Sequence, residues 1–263
     1  IIPIVMSVLL LIITFIAPFS YDDELKQRKL SGWKPATAAD KLDADARAAA
    51  DRFKTPAPKW LVIPLAVMGF INMCTMYSAQ QLLNRYGLTV VGMSDMASAS
   101  LTSLYTGGSL CAVLIWALLM SKFRWRTLKI LIIDLAGSVI SYAIVISTKS
   151  QAIVMVAAFT IGFFAAGGAL QCGVSLIQEF HPGPKGRNLG IYYTFMGCAS
   201  YVMPSIQAFF TSNAGEAAAT RINLSINMGL GALGLIFCVF LAANYKKWFG
   251  VSTFVAKTPE EIY

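Results

Sequence analysis

Tyr77, Gln80, Gln81 and Asn84 share about a 100° arc of one helical stretch, with Asn72 deeper on the same stretch. Such side chains exchange hydrogen bonds and do no bond-breaking chemistry. An unpaired polar group is costly in hydrocarbon, so a face of this kind turns toward a helix bundle or a watery cavity. Two readings follow: bonds between helices, or contact with a dissolved solute. No nucleophile, metal-ligand cluster or carboxylate pair stands at an enzymatic spacing, so neither an enzyme nor a cofactor or metal site is expected. His181, the single histidine, lies between Phe180 and Pro182 and reads as a loop residue. Asp134 is the one carboxylate well inside an apolar stretch, and Arg126 and Lys129 nearby suggest an ion pair or hydrogen bond, with proton carriage as the alternative. Glu179, near Arg187, reads as a gating or structural pair.

The elements that hold these residues are membrane spans. Seven apolar stretches, 1–18, 60–85, 97–120, 127–147, 152–178, 187–212 and 221–245, are each of about 18 to 27 residues, enough to cross about 30 Å of hydrocarbon. With 57% hydrophobic and 13% charged residues, the composition is that of a membrane protein. Only Arg85, Lys149 and Arg221 of the 21 lysines and arginines fall at one end of the spans. The rest gather at the other, which makes that end cytoplasmic and puts the C-terminus inside. The net charge of +8 therefore reads as orientation rather than as a nucleic-acid surface. Trp60, Trp125 and Trp248 fall at the same inner boundary.

The five cysteines, Cys74, Cys111, Cys172, Cys198 and Cys238, all lie in spans without a CxxC pair and read as packing residues. Gly162, Gly167, Gly168, Gly173, Gly190 and Gly197, with Ala166 and Ala199, would let helix backbones approach closely. Gly229, Gly231 and Gly234 spell GxGxxG, but no strand precedes them, so no dinucleotide site is expected. Segment 19–59 carries nine basic and seven acidic residues and is too polar to enter the membrane. Within it, 37–53 has the spacing of a short amphipathic helix. The short remaining connections predict antiparallel neighbours in sequence order.

Two segments resemble the major facilitator superfamily. Residues 116–129, WALLMSKFRWRTLK, are similar to its cytoplasmic motif between the second and third helices of each half, through Leu119, Lys122 and Arg126; Ala117, Ser121, Arg124 and Trp125 depart from it. Residues 179–204 resemble a loop and helix of the same family through Arg187, Gly190, Gly197 and Pro204. The resemblance implies an all-α membrane protein built as a multi-pass helical bundle. It would be the six-helix C-terminal half of a major facilitator fold, as two three-helix inverted repeats, 60–147 and 152–245, plus one preceding helix. Span 1–18 would end the N-terminal half, 19–59 would be the central linker, 60–245 the C-terminal domain and 246–263 a cytoplasmic tail. Six further helices are then expected upstream in the same polypeptide or on a separate chain.

Through the same resemblance Asn72, Tyr77, Gln80, Gln81, Asn84, Tyr105, Gln171, Tyr193, Ser200 and Tyr201 become candidates for lining a central pathway, or for interhelical bonds. Lys122, Arg126, Asp134, Glu179 and Arg187 become gating or structural charges. The implied function is a secondary transporter in the cell membrane, moving a small polar or organic solute by alternating access, with proton coupling as a family-level expectation. The implied partners are the solute, membrane lipid and the missing half. The other readings are a transporter-like sensor or accessory subunit and, less well supported by the loops, a seven-helix receptor.

Overall fold

The computed structural model describes residues 58–181 and 185–257, apart from the side chain of Lys185, and these fall within one compact unit. The expected span 1–18, the linker helix 37–53 and the end of the tail lie outside the described residues. Seven helices follow in order: α1 (Val62–Tyr86), α2 (Asp95–Ser121), α3 (Thr127–Ser147), α4 (Gln151–Ile161), α5 (Ala169–Phe180), α6 (Lys185–Ala214) and α7 (Glu216–Phe249). A π turn at Gly162–Ala166 joins α4 to α5, and together they form one 30-residue span, Gln151–Phe180. Among the described residues five spans are long and apolar enough to cross a membrane. Helix α6, with 30 residues, is equally long but more polar, and carries Asn188, Ser200, Ser205, Gln207, Thr211 and Asn213. No strand occurs among the described residues.

Helix starts and stops follow local chemistry. Ser94 caps α2 by accepting from Ala97 N. Helix α7 stops at Gly250, which takes a left-handed φ of 75° where a side chain would strain the backbone. Arg124 is the described non-glycine residue with a positive φ, 54°, in the tight loop between α2 and α3.

Packing does not follow sequence order throughout. Helix α2 packs chiefly on α4 and the π turn, whereas α3 packs chiefly on α7, so the short α2–α3 loop does not make those two close neighbours. The cause is a seam of glycines. A Cβ at Gly108 would overlap the Phe159 carbonyl, one at Gly162 the Tyr105 carbonyl and one at Gly167 the Ala112 Cβ, so the α2 and α4–α5 backbones touch. The other expected close-packing glycines divide. Gly168 and Gly173 are crowded by Trp116 and Tyr192, whereas Gly190 and Gly197 face open space.

Helix α1 is the hub. Tyr105 Oη donates to Met76 O at 2.9 Å, Tyr86 Oη to Val145 O at 2.6 Å, and Tyr142 Oη to Thr75 O. These bonds tie α1 to α2 and α3 and leave its remaining face for α6 and α7. Two main apolar clusters fill the bundle. One, at the basic end, includes Leu65, Trp116, Leu131, Leu176, Phe180 and Trp248; the other includes Leu83, Tyr86, Leu101, Tyr142 and Ile161. Trp248 is 5% exposed and packs edge-on to Phe180 with ring centroids 5.5 Å apart, so it is a core residue and not the boundary anchor expected from its position. Cys74, Cys172 and Cys238 are buried as expected, whereas Cys111 and Cys198 are exposed on helix surfaces.

Candidate functional site

Helices α1, α6 and α7 enclose a cleft of about 530 Å³, lined by Tyr77, Ser78, Gln81, Leu82 and Arg85 from α1, Met203, Pro204, Gln207, Ala208, Thr211 and Ser212 from α6, and Asn223 from α7. It lies toward the end away from the basic loops. On α1 the lining positions recur at steps of three and four, which keeps them on one face. On α6 and α7 the polar residues form a chain. Gln207 Nε2 lies 3.4 Å from both Thr211 Oγ1 and Thr220 Oγ1, and Asn227 Nδ2 donates to Asn223 Oδ1 at 2.8 Å. Ser78 Oγ and Gln207 Oε1 are buried without a hydrogen-bond partner. Acceptors left open beside a cleft are places for a ligand or water to complete.

Of the expected pathway residues, the cleft takes Tyr77 and Gln81. Gln80 is exposed just outside it, and Asn84 is half-buried with an unpartnered Oδ1. Asn72 is 1% exposed; its Nδ2 donates to Ala169 O at 2.9 Å and to Tyr192 Oη at 3.3 Å, which clamps α1 to α5 and α6. Tyr105 is likewise committed to Met76 O. For these two, the interhelical reading describes the contacts. Gln171, Tyr193 and Tyr201 are exposed and Ser200 is half-buried, none of them on the cleft. Sequence reading missed Ser78, Arg85, Gln207 and Asn223. The i, i+4 pairs Gln207/Thr211 and Asn223/Asn227 inside apolar stretches were the available signal.

Replacing Asn72 with leucine is expected to lower stability by about 1–3 kcal/mol, because the Ala169 carbonyl and Tyr192 hydroxyl lose their donor. Thermal unfolding in detergent measures this. A midpoint equal to the parent's would remove the clamp.

The basic end holds a second polar cluster. Arg126 is 4% exposed; its Nε donates to Val255 O at 3.0 Å and its Nη1 lies 3.4 Å from Tyr245 Oη. The same Tyr245 hydroxyl donates to Glu179 Oε1. Lys257 N donates to Arg124 O at 2.9 Å, so the tail folds back on the α2–α3 loop. Lys122 is exposed.

Two charge pairings expected from the sequence are absent here. Glu179 meets Tyr245 rather than Arg187, which stands on the exposed side of the first turn of α6. Asp134 is fully buried beside Gly168 with the Trp116 indole N–H as its polar neighbour, and it makes no ion pair with Arg126 or Lys129 among the described residues. Lys129 lies five residues away, about 140° around the helix, and its Nζ sits 3.7 Å over the Trp125 ring. His181 caps α5 in the loop as expected. Burial, then the Arg187 cation, holds its imidazole below the ordinary 6.5, so it is uncharged at neutral pH.

A bundle of spans with a polar cleft and a buried Arg126 at the α2–α3 loop agrees with the family motif in 116–129. The sequence profile of the Major Facilitator Superfamily matches residues 1–204. The chain belongs to the major facilitator superfamily. Two curated relatives come from Escherichia coli. Inner membrane transport protein YdiM is 34% identical over 180 residues, 68% of this chain and 43% of YdiM. Inner membrane transport protein YdiN is 30% identical over 191 residues, 72% of this chain and 44% of YdiN. The chain thus spans less than half the length of these relatives. The crystal structure of peptide transporter POT overlays with a TM-score of 0.62 at 15% identity, covering 83% of this chain and 46% of POT. That likeness gives the fold, a multi-pass helical membrane protein of the major facilitator type. Among the described residues no group of His, Cys, Asp or Glu is placed to hold a metal.

Proposed function

We propose that this chain is the C-terminal half of a secondary transporter, working by alternating access with an N-terminal half of similar size. The carrying observation is the cleft between α1, α6 and α7, which sets polar side chains against an apolar wall and leaves open acceptors at Ser78 and Gln207. Its volume is in the range of small-molecule sites. The exposed polar faces of α5 and α6, with Gln171, Tyr193 and Tyr201, are where the other half and the solute pathway would meet this chain. The basic loops, with the C-terminus, face the cytoplasm by the positive-inside rule. Solute moves on an ion gradient or on its own gradient.

The test is solute flux into proteoliposomes containing the full-length transporter. Gln207→Leu and Tyr77→Phe are expected to cut flux about tenfold, by removing one or two hydrogen bonds to the solute, while folded yield is kept. Parental flux in both variants would move the solute site away from this cleft.

A further inference from the structure

The sequence places no charge at mid-membrane on the pathway helices, yet the cleft has a cation at its mouth. Among the described residues Arg85 is the one charged residue of the lining, which holds no carboxylate. Ser78 lies seven residues earlier on the same face, about 10 Å along the axis, so the cation and the Ser78 hydroxyl stand at opposite ends of one cavity. The partner of Arg85 is Glu216, with Nη1 3.6 Å from Oε1, beyond hydrogen-bond length. Their side chains are 54% and 46% exposed, so the pair is held weakly and solvent reaches both. Glu216 opens α7 straight after Gly215, whose φ of 81° turns the chain there. The carboxylate thus stands at the rim, outside the lining.

We propose that the cleft binds small monocarboxylates, with Arg85 gripping the carboxylate after leaving Glu216 and Gln207 accepting from a hydroxyl or amide N–H further in. This rests on the transporter reading of the same cleft and adds the solute class. The planar guanidinium matches a carboxylate with two parallel N–H bonds, which the long contact to Glu216 does not supply. A single cation suits a monoanion better than a phosphate dianion. The apolar wall of Leu82, Met203, Pro204 and Ala208 gives the body of the solute a surface to pack on below the guanidinium. About one turn inside the rim, Gln207 Nε2 is engaged by Thr211 and Thr220, which leaves Oε1 for a solute donor. Glu216 is a positioning residue: it keeps the empty guanidinium over the cleft and competes with the solute.

The test uses the full-length transporter in proteoliposomes and matched probes: 4-hydroxybenzoate with 4-hydroxybenzamide, lactate with lactamide, and glucose and choline as neutral and cationic solutes. In at least one matched pair the acid is expected to enter ten or more times faster than its amide. Arg85→Gln removes that preference, Arg85→Lys keeps part of it, and Glu216→Gln lowers the KM for the acid severalfold with kcat little changed. Equal acid and amide flux, or a preference that survives Arg85→Gln, overturns the proposal. Entry of glucose or choline without either acid overturns the anion assignment and leaves the transporter reading standing. No flux of any probe through folded protein overturns both.

Discussion

Replacing Gly162 with leucine is expected to abolish the folded protein, and even alanine to cost about 3 kcal/mol or more. A Cβ there would overlap the Tyr105 carbonyl oxygen, a backbone atom that cannot step aside alone. Gly108 meets the Phe159 carbonyl from the other side of the same seam, so neither helix can yield by turning its side chains. Gly190→Ala and Gly197→Ala are the matched controls. Nothing lies within 4 Å of a Cβ at either, and alanine should leave stability unchanged or raise it by about 0.5–1 kcal/mol. Monodispersity and the thermal midpoint in detergent separate the two classes. Similar midpoints for Gly162→Ala and Gly197→Ala would mean that α2 and α4 are not in backbone contact.

Arg126→Ala is the second large effect, with an expected loss of about 3 kcal/mol. The substitution strips donors from the Val255 carbonyl and from the Tyr245 hydroxyl, and takes a cation 5.7 Å from the Tyr245 ring. Tyr245→Phe removes one hydroxyl from the same cluster and should cost about 1–2 kcal/mol. The signature that separates this cluster from general damage is local. Hydrogen exchange at 251–257 should rise in Arg126→Ala, because Val255 loses its tie to the loop, while exchange along α1 stays slow. Unchanged exchange in the tail would show that its attachment rests on Lys257 and Arg124 alone.

The spans were legible because bilayer thickness imposes a length and the described charges mark their ends. The predicted stretch 127–147 coincides with α3, and 152–178 with the α4–α5 span to within two residues at each end. What a single sequence cannot carry is each helix's rotation about its axis. The polar arc on α1 was read as Tyr77, Gln80, Gln81 and Asn84; the cleft takes Tyr77, Ser78, Gln81 and Arg85. That is the same helix turned by about a fifth of a revolution, enough to drop Gln80 and Asn84 and admit a cation. Rotation also divides the glycines. Gly162 and Gly197 are alike in sequence terms, but one faces a neighbouring backbone and the other faces none. Pairing partners such as Tyr245 for Glu179 are hidden for a related reason, since 66 residues separate them and only the packing of α5 on α7 brings them together.

Pro204 gives the cleft wall an uneven stiffness. It sits inside α6 and brings no N–H to the Ser200 carbonyl, so the helix has a missing rung at cleft level. One side of that rung is bolted down, since Tyr192 meets Asn72 of α1 and its ring crowds Gly173 of α5. The other side carries Gln207, Thr211 and Ser212 against the cavity. Beyond the rung α6 is tied to α7 instead, through Gln207 Nε2 on Thr220 Oγ1, so each side of the notch answers to a different helix. The missing rung therefore falls between a segment held by α1 and α5 and a segment held by α7, which makes it the place where α6 bends most easily.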